Sequence, residues 1–132
     1  MSKTDSGYFD GTSGESVNVW KYVTPTQPNY EHTEIPRSFI IETENGTFWV
    51  HGNATEHMAD YIVRQYKDGA SYEAIKLDSQ IILSDMQRSL RAVTKDGVKY
   101  DTPLKHGNWE FVIKESKSSD EYDAVIHALY KK

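Results

Sequence analysis

The feature that most narrows the possible folds is the run from Ser38 to His51. There Ser38-Phe39-Ile40-Ile41-Glu42-Thr43-Glu44 and Thr47-Phe48-Trp49-Val50-His51 flank the pair Asn45-Gly46. Two strand-forming segments joined by Asn-Gly predict a β-hairpin with a type I′ turn, because both turn residues must adopt positive φ and these two do so at the least steric cost. In that register Glu44 faces Thr47, Thr43 faces Phe48, Glu42 faces Trp49, Ile41 faces Val50 and Ile40 faces His51. Alternation then puts Phe39, Ile41, Phe48 and Val50 on one face, which reads as core. The other face carries Ile40, Glu42, Trp49 and His51, a mixture of aromatic, carboxylate and imidazole groups that suits binding better than packing.

Directly after the hairpin, Asn53-Ala54-Thr55-Glu56 matches a helix N-cap with Glu at the third position. Met58, Tyr61, Ile62 and Gln65 continue at helical spacing until Asp68-Gly69. A second helix is predicted from about Tyr72 to Thr94, with Ile75, Ser79, Ile82, Leu83, Met86, Leu90 and Val93 as its apolar stripe and Asp96-Gly97 as its stop. Three strands follow: Val98 to Leu104, Asn108 to Glu115 with Trp109, Phe111 and Ile113 alternating, and Ala124 to Tyr130. Residues 1–30, rich in Gly, Ser, Thr, Asp and Pro, read as a tail or wrapping segment before a single domain spanning residues 31–132. The expected class is α+β, an N-terminal hairpin and two helices packed on an antiparallel sheet.

Composition removes several chemistries. The 132 residues contain no cysteine, which excludes disulfides, thiolate metal sites and a cysteine nucleophile. Fifteen Lys and Arg against twenty Asp and Glu give a net charge of −5, so contact with a polyanion must come from a local cluster. No run approaches the roughly 18 apolar residues of a spanning helix. HExxH, EF-hand, glycine-rich phosphate-loop and GxSxG patterns are absent, and neither a metal nor another cofactor is expected. Asn45-Gly46-Thr47 and Asn53-Ala54-Thr55 fit the glycosylation pattern, although turn and cap chemistry explain both asparagines.

Five histidines remain as candidates for proton transfer: His32, His51, His57, His106 and His127. His32 lies in the irregular N-terminal segment and His106 beside a turn glycine, positions that suit solvated or capping roles. His51 and His57 bracket the step from strand end to helix start, where backbone amides and the helix dipole favour an anion such as phosphate. Trp49 adds an aromatic plate, and His57, Tyr61 and Arg64 share one helical stripe. The plainer alternative leaves His57 on the helix flank and His51 merely exposed. His127 sits in an apolar strand, where alternation groups Val125, His127 and Leu129 against Ile126, Ala128 and Tyr130 without deciding which set faces the core.

Four fragments carry a resemblance: Ile35-Pro36-Arg37-Ser38-Phe39, Trp49-Val50-His51-Gly52-Asn53-Ala54-Thr55-Glu56-His57-Met58, Asn108-Trp109-Glu110-Phe111 and Val125-Ile126-His127-Ala128-Leu129-Tyr130. Together they resemble the C-terminal toxin domains of bacterial polymorphic toxins, in particular those of LXG proteins of Gram-positive type VII secretion. Helices followed by an antiparallel sheet with a late histidine look like the barnase, EndoU, colicin and RelE group of metal-independent ribonucleases. The resemblance implies His51, His57 and His127 as catalytic residues. Trp49, Asn53, Arg64, Arg91 and Tyr130 are the candidate substrate-binding residues. It further implies an RNA substrate, a cognate immunity protein as partner, a monomer without membrane attachment, and secretion within a larger toxin for delivery to the target-cell cytoplasm. The acidic balance and the missing LXG region depart from that pattern. Two other readings are a non-catalytic binding or immunity-type module and a toxin with DNase activity. Convergence of His51, His57 and His127 in one cleft favours the enzyme, and their dispersal favours the module.

Overall fold

The computed structural model describes residues 18–66 and 71–131. A 3-10 turn, Val19–Tyr22, leads into β1 (Val23–Pro25), β2 (Phe39–Thr43), β3 (Gly46–Val50), α1 (Gly52–Gln65), α2 (Tyr72–Val93), β4 (Leu104–His106), β5 (Trp109–Lys114) and β6 (Asp123–Tyr130). The six strands form one sheet in the order β1-β2-β3-β6-β5-β4. The protein is therefore α+β, with both helices contributing to one core against the sheet. The sheet is mixed rather than wholly antiparallel. β3 and β6 run parallel, with Phe48, Trp49 and Val50 opposite Asp123, Ala124 and Val125. Parallel neighbours need a long crossover, and the two helices with the β4–β5 hairpin provide it.

The β2–β3 hairpin forms with a turn one residue earlier than expected. Glu44 and Asn45 are the turn residues, and Thr43 faces Gly46. Asn45 does not take the positive φ of a type I′ turn, since among the described residues His32 and Asp101 are the non-glycines that do. Local bonds explain the choice. Thr43 Oγ1 accepts from the Asn45 amide at 3.1 Å and donates to the Gly46 carbonyl at 2.9 Å. The Asn45 side chain donates to the Arg91 carbonyl at 2.8 Å, tying the turn to the end of α2. Each cross-strand partner moves by two positions, so Ile41 faces Phe48 rather than Val50. A shift of two preserves inside and outside, and Phe39, Ile41, Phe48 and Val50 are all buried.

Helix α2 matches its pattern: Ser79, Ile82, Leu83, Met86 and Leu90 are buried, Ser71 caps the start, and Thr94 caps the end. Helix α1 starts earlier than expected, with His51 rather than Asn53 as N-cap, and its last residue is Gln65. The expected stop at Asp68-Gly69 lies outside the described residues. Residues 98–103 are not a strand. Asp101 is left-handed (φ 59°) and Pro103 has no amide hydrogen to donate, so pairing begins only at Leu104. Upstream, Val19 and Val23 are buried, and β1 pairs with β2 as an edge strand.

The last strand carries an irregularity that decides the site. Val112 faces His127 but Ile113 faces Val125, which leaves Ile126 as an extra residue in β6. This bulge switches the inward phase, so Val125 and Ala128 are both buried. Neither simple alternation holds along the whole strand, and His127 lands on the face opposite the core, beside Val112.

One bond ties the irregular segment before β4 to β6. The Tyr100 phenol donates to Asp123 Oδ2 at 2.7 Å, and that hydrogen bond to a carboxylate, with burial adding to it, pushes its pKa up to about 12. A raised tyrosine pKa contributes stability that is complete below the unfolded value near 10 and disappears as pH rises through about 12. In an alkaline absorbance titration, one tyrosine's amplitude near pH 12 is expected in the wild type and should be missing from Tyr100→Phe. Superimposable curves would contradict the assignment.

Candidate functional site

The sheet face away from the core is part-exposed along β3, β5 and β6. On β5 the inward Trp109, Phe111 and Ile113 are buried, while Glu110, Val112 and Lys114 point outward. Register pairs those three with Leu129, His127 and Ala124, and Ala124 in turn with Trp49. The outward side chains of the hairpin and of the late strands therefore form one surface.

Helix α1 borders this surface because of where β3 ends. β3 pairs with β6 only as far as Val50 and Val125, whereas β6 continues to Tyr130. The chain turns into α1 at that point and packs along the remainder of β6. His57, one turn into the helix, thus lies beside His127, with ring centroids 6.4 Å apart and planes at 77°. Four residues on, Tyr61 meets Tyr130 edge to face at 5.3 Å. A shallow cleft of about 260 Å³ opens there, lined by His57, Asp60, Val63, Arg64, Leu129 and Tyr130.

His127 is fixed by Glu110. Its Nε2 lies 3.0 Å from Glu110 Oε2, and the two side chains are about one third exposed. A carboxylate only accepts hydrogen bonds, so Nε2 carries the hydrogen and Nδ1 of the neutral ring is left as the acceptor. Lys105 Nζ stands 3.7 Å from the other carboxylate oxygen. Glu110 thereby links a cation on β4 to the imidazole on β6, a role that its position outward on β5 would have suggested had the strand pairing been known.

His51 is held differently. Its Nδ1 accepts from the Asn53 amide at 3.0 Å, and its carbonyl accepts from Ala54 and Thr55. The first-turn amides at Asn53, Ala54 and Thr55, expected to face an anion, are thus occupied by His51 itself. With Nδ1 engaged, the free nitrogen of the neutral ring is a donor and not a base. The ring also meets Trp49 edge to face at 5.1 Å, and the indole Nε1 donates to Thr26 Oγ1 at 3.3 Å. Below the cap, Thr55 Oγ1 donates to the Arg37 carbonyl at 2.7 Å and lies 2.8 Å from the Tyr30 hydroxyl. The segments around Arg37 and around the helix start, separate in sequence, are therefore in contact.

Of the residues singled out by sequence, His57, Arg64 and Tyr130 line the cleft, with Tyr130 packed on the inward Trp109, while His127 meets His57 from the outer sheet face, which Trp49 shares with His51 at its edge. Asn53 is exposed in the first turn of α1 and contributes its amide to the cap. Arg91 is elsewhere: it sits near the C-terminal end of α2, 3.4 Å from Glu44 beside the β2–β3 turn. His32 is exposed in a turn, and His106 is exposed at the end of β4. Among the described residues, no group of three or more His, Asp or Glu is arranged to hold a metal ion, and no helix is long and apolar enough to cross a membrane. Compared with known proteins, the chain matches no family model and no curated protein.

The two neighbouring histidines of the α1 junction are separable by stability. His51→Ala removes a helix cap and should cost about 1 kcal/mol, whereas His57→Ala, at an exposed position, should stay within about 0.5 kcal/mol of wild type. Urea denaturation of both variants checks this, and equal losses would contradict the capping role.

Proposed function

We propose that this chain is a metal-independent ribonuclease domain of the antibacterial toxin type, cleaving RNA by histidine acid–base chemistry. The observation that carries the reading is the pair of imidazoles, His57 and His127, 6.4 Å apart, with His127 oriented by Glu110. RNA supplies its own nucleophile. A base takes the proton of the 2′-hydroxyl, the 2′-oxygen forms a bond to phosphorus, and the bond to the 5′-oxygen breaks as an acid protonates that oxygen. The products are a 2′,3′-cyclic phosphate and a 5′-hydroxyl, with no added reagent. Imidazole is the side chain that can serve as either base or acid, so two of them can supply both roles.

In this reading His127 is the base through Nδ1, and Glu110 is a positioning residue that holds its tautomer and stabilises the imidazolium that forms. His57 is the acid. In this reading the phosphoryl group lies between the two rings, whose centroids are 6.4 Å apart. Arg64, which lines the cleft with His57, is the cation assigned to the phosphate in this reading. His51 stays a helix cap and a support for Trp49. The toxin context, with delivery into a target cell and a cognate immunity protein, follows from the resemblance alone. Its partner would neutralise the producer's own copy.

The alternative, a binding or immunity-type module, draws on the net charge of −5. It leaves the Glu110–His127–His57 arrangement without a purpose, and we rank it second for that reason.

The purified domain should be incubated with total RNA and with plasmid DNA, each with and without EDTA. RNA loss that is indifferent to EDTA, with cyclic phosphate ends, is expected. His57→Ala and His127→Ala should each lower cleavage by at least about 100-fold while remaining folded, and Glu110→Gln by about 10-fold. EDTA-sensitive loss of plasmid would favour the DNase reading, and inert nucleic acids with a folded protein would favour the module.

A further inference from the structure

A second concavity, of about 380 Å³, lies on the same sheet face as His127, on the far side from α1. Its apolar part is made by Ile40, Trp49 and Ala124, and Tyr122, 51% exposed, stands on its rim. The indole is presented rather than free to swing, because Thr26 binds its nitrogen and His51 abuts its edge. The charged rim is balanced, with Lys114 and Lys117 against Glu115 and Glu121. A balanced rim around an aromatic floor is a poor phosphate site. It suits a flat, uncharged ring with an apolar face and a polar edge, for which lysines and glutamates together offer donors and acceptors.

We propose that this groove is a subsite for one unpaired nucleobase, stacked on Trp49 beside Tyr122, and that it restricts the protein to single-stranded RNA. The proposal rests on the ribonuclease reading for the identity of the strand as RNA. Ala124, opposite Trp49, and His127 lie three residues apart on β6, roughly 10 Å along the strand. A base in the groove therefore belongs to a nucleotide near the phosphate between His57 and His127. Bases in a duplex are stacked on their neighbours and cannot offer a face to the indole, so paired RNA is excluded by geometry.

The test uses the full chain and a single-stranded 2′-deoxy hexanucleotide, which lacks the nucleophile and stays intact. The same sequence as a duplex and a heparin fragment, a polyanion without bases, are the controls. The readouts are the Trp49 indole N–H signal in NMR, assigned with Trp49→Phe, and a binding titration by fluorescence anisotropy. The single strand is expected to move the Trp49 signal and to bind at least about 10-fold more tightly than the duplex or heparin. Trp49→Ala should weaken it by at least about 10-fold. An unmoved Trp49 signal in the wild type overturns the proposal whether or not the variant folds, and so does equal binding of duplex or heparin.

RNA cleavage is scored separately by cyclic phosphate ends. If the hexanucleotide moves Trp49 but RNA stays whole, the subsite holds and the ribonuclease reading falls. If RNA is cleaved while Trp49 is indifferent and Trp49→Ala cleaves at the wild-type rate, the subsite falls and the ribonuclease reading stands.

Discussion

Everything in this protein hangs on the parallel pairing of β3 with β6. It joins the hairpin formed early in the chain to the hairpin and strand formed last, and without it the sheet would be two separate antiparallel pieces. The buried face of the joined sheet, with Phe39, Ile41, Phe48, Val50, Phe111, Ile113 and Val125, then makes one continuous surface for α1 and α2. Burial of that many large apolar side chains is the dominant favourable term in folding. Because β6 is central, its neighbours on either side determine what its outward side chains can touch.

Polar contacts pin the pieces to that frame where packing alone would leave them loose. Gln87, buried on α2, donates to the Glu42 carbonyl at 2.6 Å and fixes the helix against β2. Trp109 stacks on Phe111 at 5.4 Å and sends its indole N–H to Asp85 at 2.9 Å, fixing the same helix against β5. Tyr66, at the end of α1, donates to Asp78 on α2, a bond that also raises the phenol's pKa above its ordinary value. Buried donors left without such partners would each cost about 1–3 kcal/mol. The helices are therefore held at defined positions, and α1 in particular is kept along the edge of β6.

That placement explains why ionisable side chains meet at the outer sheet face. The ends of β3 and the beginning of α1 bring His57 to the edge of β6, the bulge turns His127 outward, and the β5 register sets Glu110 within hydrogen-bond reach of it. Each side chain comes from a different element. A rigid sheet can hold such a set at fixed separation, as the proposed acid–base chemistry requires.

The amino-acid sequence by itself determined the elements whose signals are local. Alternation marked Phe39, Ile41, Phe48 and Val50 as buried, and helical spacing marked the inward stripe of α2, because burial of a periodic face depends only on near neighbours along the chain. The junction between Trp49 and His57 was visible for the same reason. Tertiary structure alone decided the rest. It made the sheet mixed, since strand direction depends on a crossover of more than 70 residues between β3 and β6. It anchored the hairpin turn, since the bond from Asn45 reaches a carbonyl of α2. It recruited Glu110 and set Arg91 aside, since partnership across strands is a matter of register. And it resolved the face of His127 through one extra residue, Ile126, whose bulge makes the inward pattern change phase midway, so that no single alternation read from the sequence could have been right along the whole strand.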